Sequence, residues 1–360
     1  MPAIVALDTQ VVNRIAAGEV IHRPSSALKE MLENSLDAGS TSIAVLAKGG
    51  GLKLLQIGDN GHGIMRDDFA RVCQRFATSK LREYEDLESI DTFGFRGEAL
   101  ASISHVAHVS VTSMTDGAPC AYRACYADGS LVAAKAGEAV EPKPCAGTRG
   151  TTIVVEDLFY NVQARRNAMK GAGEEYGKLL QVVQSYAIDN PGVAMSCKKS
   201  LDGGAELHTL KEHSSTDVVR LVYGAAVARE LLPLEGRNEA VGLSLGGLMS
   251  NANYAGKKLT FLLFINKRLV ESVSLRRAVE EAYAPPSTIP MPVPWRLMHA
   301  LCNGATCVHC RLVHGRYAPY LPKGAHPFVY LSLRLPPATL DVNVHPTKRE
   351  VHFLEQVSCL

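Results

Sequence analysis

One segment near the start of the chain constrains the fold more than any other. Arg23-Pro24-Ser25 opens it and Gly39 follows its end, as expected of a helix with proline in its first turn and glycine just past its last. Wound at about 100° per residue, it puts Leu28, Met31, Leu32 and Leu36 on one face. Glu30, Asn34 and Asp37 then share about a 60° arc on the other. The apolar stripe needs a partner surface, and two strand-like runs, residues 41–47 and 52–57, follow at once. The chain therefore begins as an α/β fold.

The pattern continues. Residues 8–21 read as an amphipathic helix, 66–78 as another, and 98–105 as a third that starts after a glycine turn. Residues 109–114, 121–126 and 151–155 read as strands of one sheet. Residues 176–190 form a helix closed by Asn190-Pro191-Gly192. The polar stretch 198–204 suggests the approach to a boundary, giving domains at 1–205 and 206–360. The second has a helix at 217–223, strands at 243–251 and 259–265, a helix at 274–283, and a strand-turn-strand region at 328–353. No internal repeat is visible.

Length suits two domains. The net charge is only +2, but it is unevenly spread. Residues 1–205 carry 21 Lys and Arg against 24 Asp and Glu, and residues 206–360 carry 17 against 12. A phosphate-facing surface is expected in the second half. No run of eighteen apolar residues occurs, so no membrane span is expected. Nine cysteines without an export signal read as reduced intracellular thiols.

Residues 285–316 stand apart. Five prolines fall within 285–294, followed by the single Trp and three of the nine cysteines. Cys302, Cys307 and Cys310 with His309 and His314 invite a zinc reading, but two regularly spaced ligand pairs are lacking. A disordered proline-rich loop is favoured over zinc, and a segment foreign to the natural protein, such as translated intron, is a third reading.

Four local words carry chemistry. On the first-described helix, the plain reading of Glu30, Asn34 and Asp37 is a solvated polar stripe. The functional reading is a general base at Glu30 and a hard oxygen ligand for Mg²⁺ at Asn34, one turn apart. Next, Asp59-Asn60-Gly61-His62-Gly63 follows a strand, placing a carboxylate where backbone can approach a ligand closely. An adenine amino group suits that carboxylate, although an Asp-led turn is the plain reading. Third, Gly94-Phe95-Arg96-Gly97-Glu98-Ala99-Leu100 runs glycine-rich backbone into a helix start, with Thr78-Ser79-Lys80 upstream, a seat for a triphosphate. Fourth, Gly150-Thr151 opens a strand.

In this order the four words resemble the ATPase superfamily shared by DNA gyrase, the ninety-kilodalton heat-shock chaperones, histidine kinases and MutL. Longer words resemble the MutL DNA mismatch-repair family alone: Val12-Asn13-Arg14-Ile15-Ala16-Ala17-Gly18-Glu19-Val20-Ile21, Phe93 through Leu100, Asp157-Leu158-Phe159-Tyr160-Asn161-Val162, and Asp341-Val342-Asn343-Val344-His345-Pro346-Thr347-Lys348. The run from 78 to 123 is closer still to a eukaryotic branch of that family. The resemblance covers the chain outside 285–316.

The resemblance implies a two-layer α/β sandwich ATPase domain with a mixed, mainly antiparallel sheet, then a smaller α+β domain with a βαβ crossover. It implies Mg·ATP hydrolysis, with Glu30 as base, Asn34 on the metal, and Asp59, Gly61, Gly63 and Thr151 around adenine. Thr78, Lys80, Gly94, Phe95, Arg96, Gly97 and Leu100 match a lid over the phosphates, and Lys348 matches a lysine directed at the terminal phosphate. It also implies a nuclear location, weak sequence-independent DNA contact, a second MutL paralogue as heterodimer partner, and a MutS-type mismatch-recognition complex. Lys257, Lys258, Arg268, Arg276 and Arg277 are the DNA-facing candidates. Family members carry a separate C-terminal dimerisation domain, in some paralogues a nuclease; no counterpart is expected here, and so no nuclease activity. Two rivals remain. One is a scaffold that binds ATP without hydrolysing it, against which Glu30 speaks. The other is a topoisomerase-type ATPase, against which the words at 15–21 and 341–348 speak.

Overall fold

The computed structural model describes residues 5–80, 92–94, 97–239, 242–251, 253–283, 326–341 and 352–353. Two compact units divide after His213.

The first unit contains α1 (Thr9–Val20), α2 (Pro24–Asp37), β1 (Ser42–Lys48), β2 (Leu54–Asp59), α3 (Ala99–Ser104), β3 (His108–Met114), β4 (Ala121–Ala127), β5 (Ser130–Val132), β6 (Lys143–Cys145), β7 (Gly150–Glu156), α4 (Gln163–Asn167), α5 (Ala172–Asp189), β8 (Ala194–Lys198) and β9 (Ala205–His208). The strands form one sheet in the order β5-β4-β3-β7-β2-β1-β8-β9, with β6 beside β4. Every pairing is antiparallel except β1 with β8. Against this sheet α2 and α5 pack, burying Leu28, Met31 and Leu32 of α2 and Leu179 and Val183 of α5 over Ile43, Val45, Leu55, Ile57 and Val155. This is the expected two-layer α/β sandwich with a mixed, mainly antiparallel sheet.

Local chemistry sets the helix ends. Asp8 caps α1 by accepting from the Gln10 N–H at 2.7 Å. Pro24 begins α2, and Gly39, at φ +69°, turns the chain away after it.

Residues 66–78 depart from the helix that their pattern predicts. Only a 3-10 segment, Arg66–Arg71, forms. Beyond it the N–H groups of Gln74 and Ala77 bond three residues back, to Arg71 and Gln74. The Phe69 carbonyl also accepts from the buried Tyr126 hydroxyl at 2.8 Å. The same carbonyl also takes the Val72 N–H at 3.4 Å, so the tertiary contact and the tighter three-residue turn share one acceptor.

The second unit contains α6 (Ser215–Tyr223), α7 (Ala225–Arg229), β10 (Leu231–Asn238), β11 (Leu243–Ser250), β12 (Thr260–Ile265), β13 (Arg268–Val270), α8 (Val273–Tyr283), β14 (Phe328–Arg334), β15 (Leu340–Asp341) and β16 (His352–Phe353). Its main sheet has the order β10-β11-β14-β12-β13. β12 lies parallel to β14 with α8 on the connection between them, the expected βαβ crossover. Leu275 and Val279 of α8 enter a core with Leu245, Leu263, Val329 and Leu331. β10 holds Pro233 at the sheet edge, where a missing N–H is tolerated.

Candidate functional site

The polar face of α2 is not a solvated stripe. Glu30 is only 7 % exposed and the Asp37 side chain 6 %. Buried polar groups cost free energy unless they find partners, and α2 finds them in four directions. Lys29 lies 3.9 Å from Glu33, and the Tyr186 hydroxyl of α5 donates to Glu33 Oε1 at 2.5 Å. Ser35 Oγ donates to Asp59 Oδ2 at 2.8 Å. The Lys80 ammonium donates to Asn34 Oδ1 at 3.2 Å and pairs with Asp37 Oδ2. The Phe93 and Gly94 N–H groups donate to Asp37 Oδ1 and Oδ2 at 2.9 and 3.0 Å.

These contacts divide the candidate residues into two groups bridged by α2. One group gathers Asn34, Lys80 and Gly94 around Asp37. Thr78 joins it through its hydroxyl, which accepts from the Lys80 N–H at 3.1 Å. Glu30 lies one turn earlier on the same face of α2. Gly97 rests on the Ala77 backbone, and Leu100 is half-buried in the first turn of α3. Arg75 ties this region to α1: its guanidinium donates to Glu98 at 2.9 Å and to Asn13 at 3.0 Å.

The second group lies where β2, β3 and β7 end. Asp59 is the last residue of β2, and its Oδ1 accepts from the Gly61 N–H at 2.9 Å. Backbone runs extremely close here. A Cβ on Gly150, at φ +114°, would stand 1.9 Å from the Asp59 carbonyl, and one on Gly63, at φ +76°, 2.3 Å from the Met114 carbonyl. Only glycine fits either position. Thr151 is 8 % exposed, and its hydroxyl meets Ser113 Oγ at 2.9 Å. Ser113 also donates to the Gly150 carbonyl at 2.9 Å and accepts from the Ile64 N–H at 2.8 Å. A single buried hydroxyl therefore joins the turn after Asp59 to the start of β7.

Sequence reasoning gave no role to Ser35 or Ser113, and it named Asp37 only as part of an arc. The signal for Ser113 was present, since Val109, Val111 and Ser113 alternate on the buried face of β3. Phe95, Arg96, Lys348 and the whole 285–316 segment, with its cysteines and histidines, lie outside the described residues. On the second unit Lys257, Lys258, Arg276 and Arg277 are exposed, as a DNA-facing role requires. Arg268 is corrected: it is 4 % exposed, because β13 turns its first and last residues into the core.

Among the described residues no cluster of three or more His, Cys, Asp or Glu stands ready to hold a metal ion. The Asn34–Asp37 pair nevertheless has the right chemistry for Mg²⁺. It offers hard oxygens to a cation, and a cation, the Lys80 ammonium, already rests on both. No helix among the described residues is long and apolar enough to cross a membrane.

Comparison with known proteins places both units in a family. Residues 22–150 match the family model "Histidine kinase-, DNA gyrase B-, and HSP90-like ATPase". Residues 219–293 and 308–360 match "DNA mismatch repair protein, C-terminal domain", with a break inside the proline-rich segment. The putative MutL protein homolog 1 of Schizosaccharomyces pombe is 49 % identical over 97 % of this chain and 46 % of its own length. The crystal structure of the N-terminal domain of a DNA repair protein superposes with a TM-score of 0.71 at 25 % identity, covering 96 % of this chain and 93 % of that one. The Aquifex aeolicus MutL ATPase domain complexed with ADP shares the fold, with a TM-score of 0.56 at 22 % identity, covering 88 % of this chain and 94 % of that one. The chain spans about half the length of the curated relatives it matches.

Proposed function

Since the chain belongs to the MutL/MLH1 family of DNA mismatch-repair proteins, we propose that its first unit binds Mg·ATP and hydrolyses it to ADP and phosphate. The observation that carries this reading is the bridge made by α2. Within its last turn Ser35 holds Asp59, while Asn34 and Asp37 beside it hold Lys80 and Gly94. A ligand with an amine-bearing ring and a charged tail suits such a site.

In this reading Asp59 accepts from the adenine amino group, and Gly61, Gly63 and Thr151 shape the pocket wall. Thr78, Lys80, Gly94, Phe95, Arg96, Gly97 and Leu100 meet the phosphates, with Lys348 reserved for the terminal one. Mg²⁺, on Asn34, would supply charge neutralisation at the phosphates. Glu30 takes the proton of the attacking water as general base. Positioning and electrostatics supply most of the acceleration, as in phosphoryl transfer generally.

The work done is conformational: ATP drives closure and pairing of two such chains during mismatch repair in the nucleus, the second being another MutL paralogue that acts with a MutS-type recognition complex. Val11, Val12 and Ile15 of α1, exposed by 46, 44 and 54 %, supply apolar surface for pairing. Lys257, Lys258, Arg276 and Arg277 supply non-specific phosphate contact with DNA.

Glu30→Ala and Asp59→Asn test the core of this reading. Glu30→Ala should bind ATP and lose about 10²–10⁴-fold in Mg²⁺-dependent hydrolysis, whereas Asp59→Asn should lose affinity. Binding by Glu30→Ala with undiminished hydrolysis would reject the base assignment. A wild-type chain that binds ATP but never turns it over would favour the scaffold reading. Sedimentation with a non-hydrolysable analogue and with ADP tests pairing, which only the analogue should promote.

A further inference from the structure

Asp37 draws donors from two stretches well separated from it in sequence. Lys80 reaches it from one, and the Phe93 and Gly94 N–H groups from the other. The carboxylate is nearly buried, with its side chain 6 % exposed and that of Lys80 21 %. Gly94 sits so close that a Cβ there would stand 2.9 Å from Lys80 Nζ and 3.0 Å from Asn34 Oδ1. One carboxylate thus fastens a lysine and a stretch of backbone to the end of α2. The same lysine donates to the Asn34 oxygen, the oxygen assigned above to Mg²⁺.

We propose that Asp37 is a positioning residue of the site, holding Phe93–Gly94 and Lys80 against α2, and that Lys80 is a resident cation which a divalent ion must displace from Asn34. An ammonium and a divalent ion cannot share one amide oxygen at bonding distance, since like charges in a partly buried place repel strongly. Asp37 keeps the lysine close, so the oxygen pair is never an uncompensated negative site. When Mg²⁺ arrives with a polyphosphate, Lys80 exchanges the Asn34 oxygen for a phosphate oxygen at little cost, because its charge stays paired throughout. A divalent ion arriving alone brings no such replacement, so the resident lysine selects for the metal–nucleotide pair over the free metal. This last step rests on the nucleotide reading above; the two contacts that produce it do not.

Two measurements on the full chain without nucleotide test the proposal. The first is amide hydrogen exchange at Phe93 and Gly94 in Asp37→Asn, which loses the charge and half the acceptor capacity. Exchange there should quicken by about tenfold or more, while amides of β2 and β7 keep their wild-type rates. Unchanged exchange at Phe93 and Gly94 would overturn the positioning role. The second is binding of Mn²⁺ alone, read by its electron paramagnetic resonance signal. Lys80→Met should bind Mn²⁺ about tenfold more tightly than wild type, as when a competent state rises from about a tenth to full population. Lys80→Arg should behave as wild type, and Lys80→Met with Asp37→Asn should lose the gain. A gain in affinity cannot arise from misfolding, so it separates this role from a merely structural one. Equal Mn²⁺ affinity in wild type and Lys80→Met would overturn the resident-cation role. Failure of the wild type to bind an ATP analogue would instead reject the proposed function and leave both tests standing.

Discussion

Replacing Ser113 by alanine isolates the contact that joins the two halves of the inner site wall. Ser113 is 2 % exposed, and its hydroxyl serves the Ile64 N–H, the Gly150 carbonyl and the Thr151 hydroxyl at 2.8–2.9 Å. Alanine leaves the strand and its apolar neighbours in place. The Thr151 hydroxyl can turn toward another partner, and the Gly150 carbonyl lies in the register of β7 with β3. The Ile64 N–H has no such option among these three groups. A buried donor left unpaired costs about 1–3 kcal/mol; the Ile64 N–H is partly buried, so Ser113→Ala should destabilise the first unit by up to about 2 kcal/mol. At about 2–4 °C per kcal/mol for a domain of this size, its melting temperature should fall by up to about 4–8 °C. Ser110 is the control: it is also buried on β3, at 6 % exposure, yet its hydroxyl accepts a long 3.4 Å bond from Arg123, so Ser110→Ala should cost less than about 1 kcal/mol. Urea unfolding followed by circular dichroism, with hydrogen exchange of β2 and β7 amides to confine the readout to the first unit, measures both. If Ser113→Ala unfolds at the wild-type midpoint, or Ser110→Ala costs more than Ser113→Ala, the hydroxyl is not the joint described here.

Gly150→Ala should be far more damaging than Gly171→Ala, because a Cβ meets the Asp59 carbonyl at 1.9 Å in the first case and nothing within 4 Å in the second; soluble yield and melting temperature check the ranking. Deleting residues 294–307, where the family match breaks, should leave melting temperature and ATP turnover within error of wild type. A large loss of either, or stoichiometric zinc in the intact protein, would defeat that expectation. Burial pushes the Cys197 thiol up to about 11 and raises Cys73 further still. Alkylation at pH 8 should therefore spare both in the folded chain and label both in urea, as peptide mass spectrometry would show; rapid native labelling of Cys73 would contradict the burial.

The parts of this protein that its sequence determines are those set by neighbours along the chain. Pro24 and Gly39 bracket α2, its two faces follow from helical period, and alternation marks β3 and β7. Such features arise from backbone geometry and from the side chain's own preference, so a short window contains their cause. The order of the glycine and carboxylate words is likewise linear information, and it was enough to indicate the ATPase fold. Tertiary structure decided which groups meet. Asp37 receives the Phe93 N–H from 56 positions away, and Ser113 and Thr151 are separated by 38. Burial of the polar stripe of α2 was likewise invisible, since a helical wheel cannot say whether a second layer covers its other face. Residues 66–78 have an apolar spacing that suits a helix, yet they form a 3-10 segment whose Phe69 carbonyl is shared between the Val72 N–H and the distant Tyr126 hydroxyl. Arg268 looks like any surface arginine until β13 is seen to face the core. In each case the deciding term is the free energy of a polar group that has left water, and its sign depends on what the fold has placed opposite.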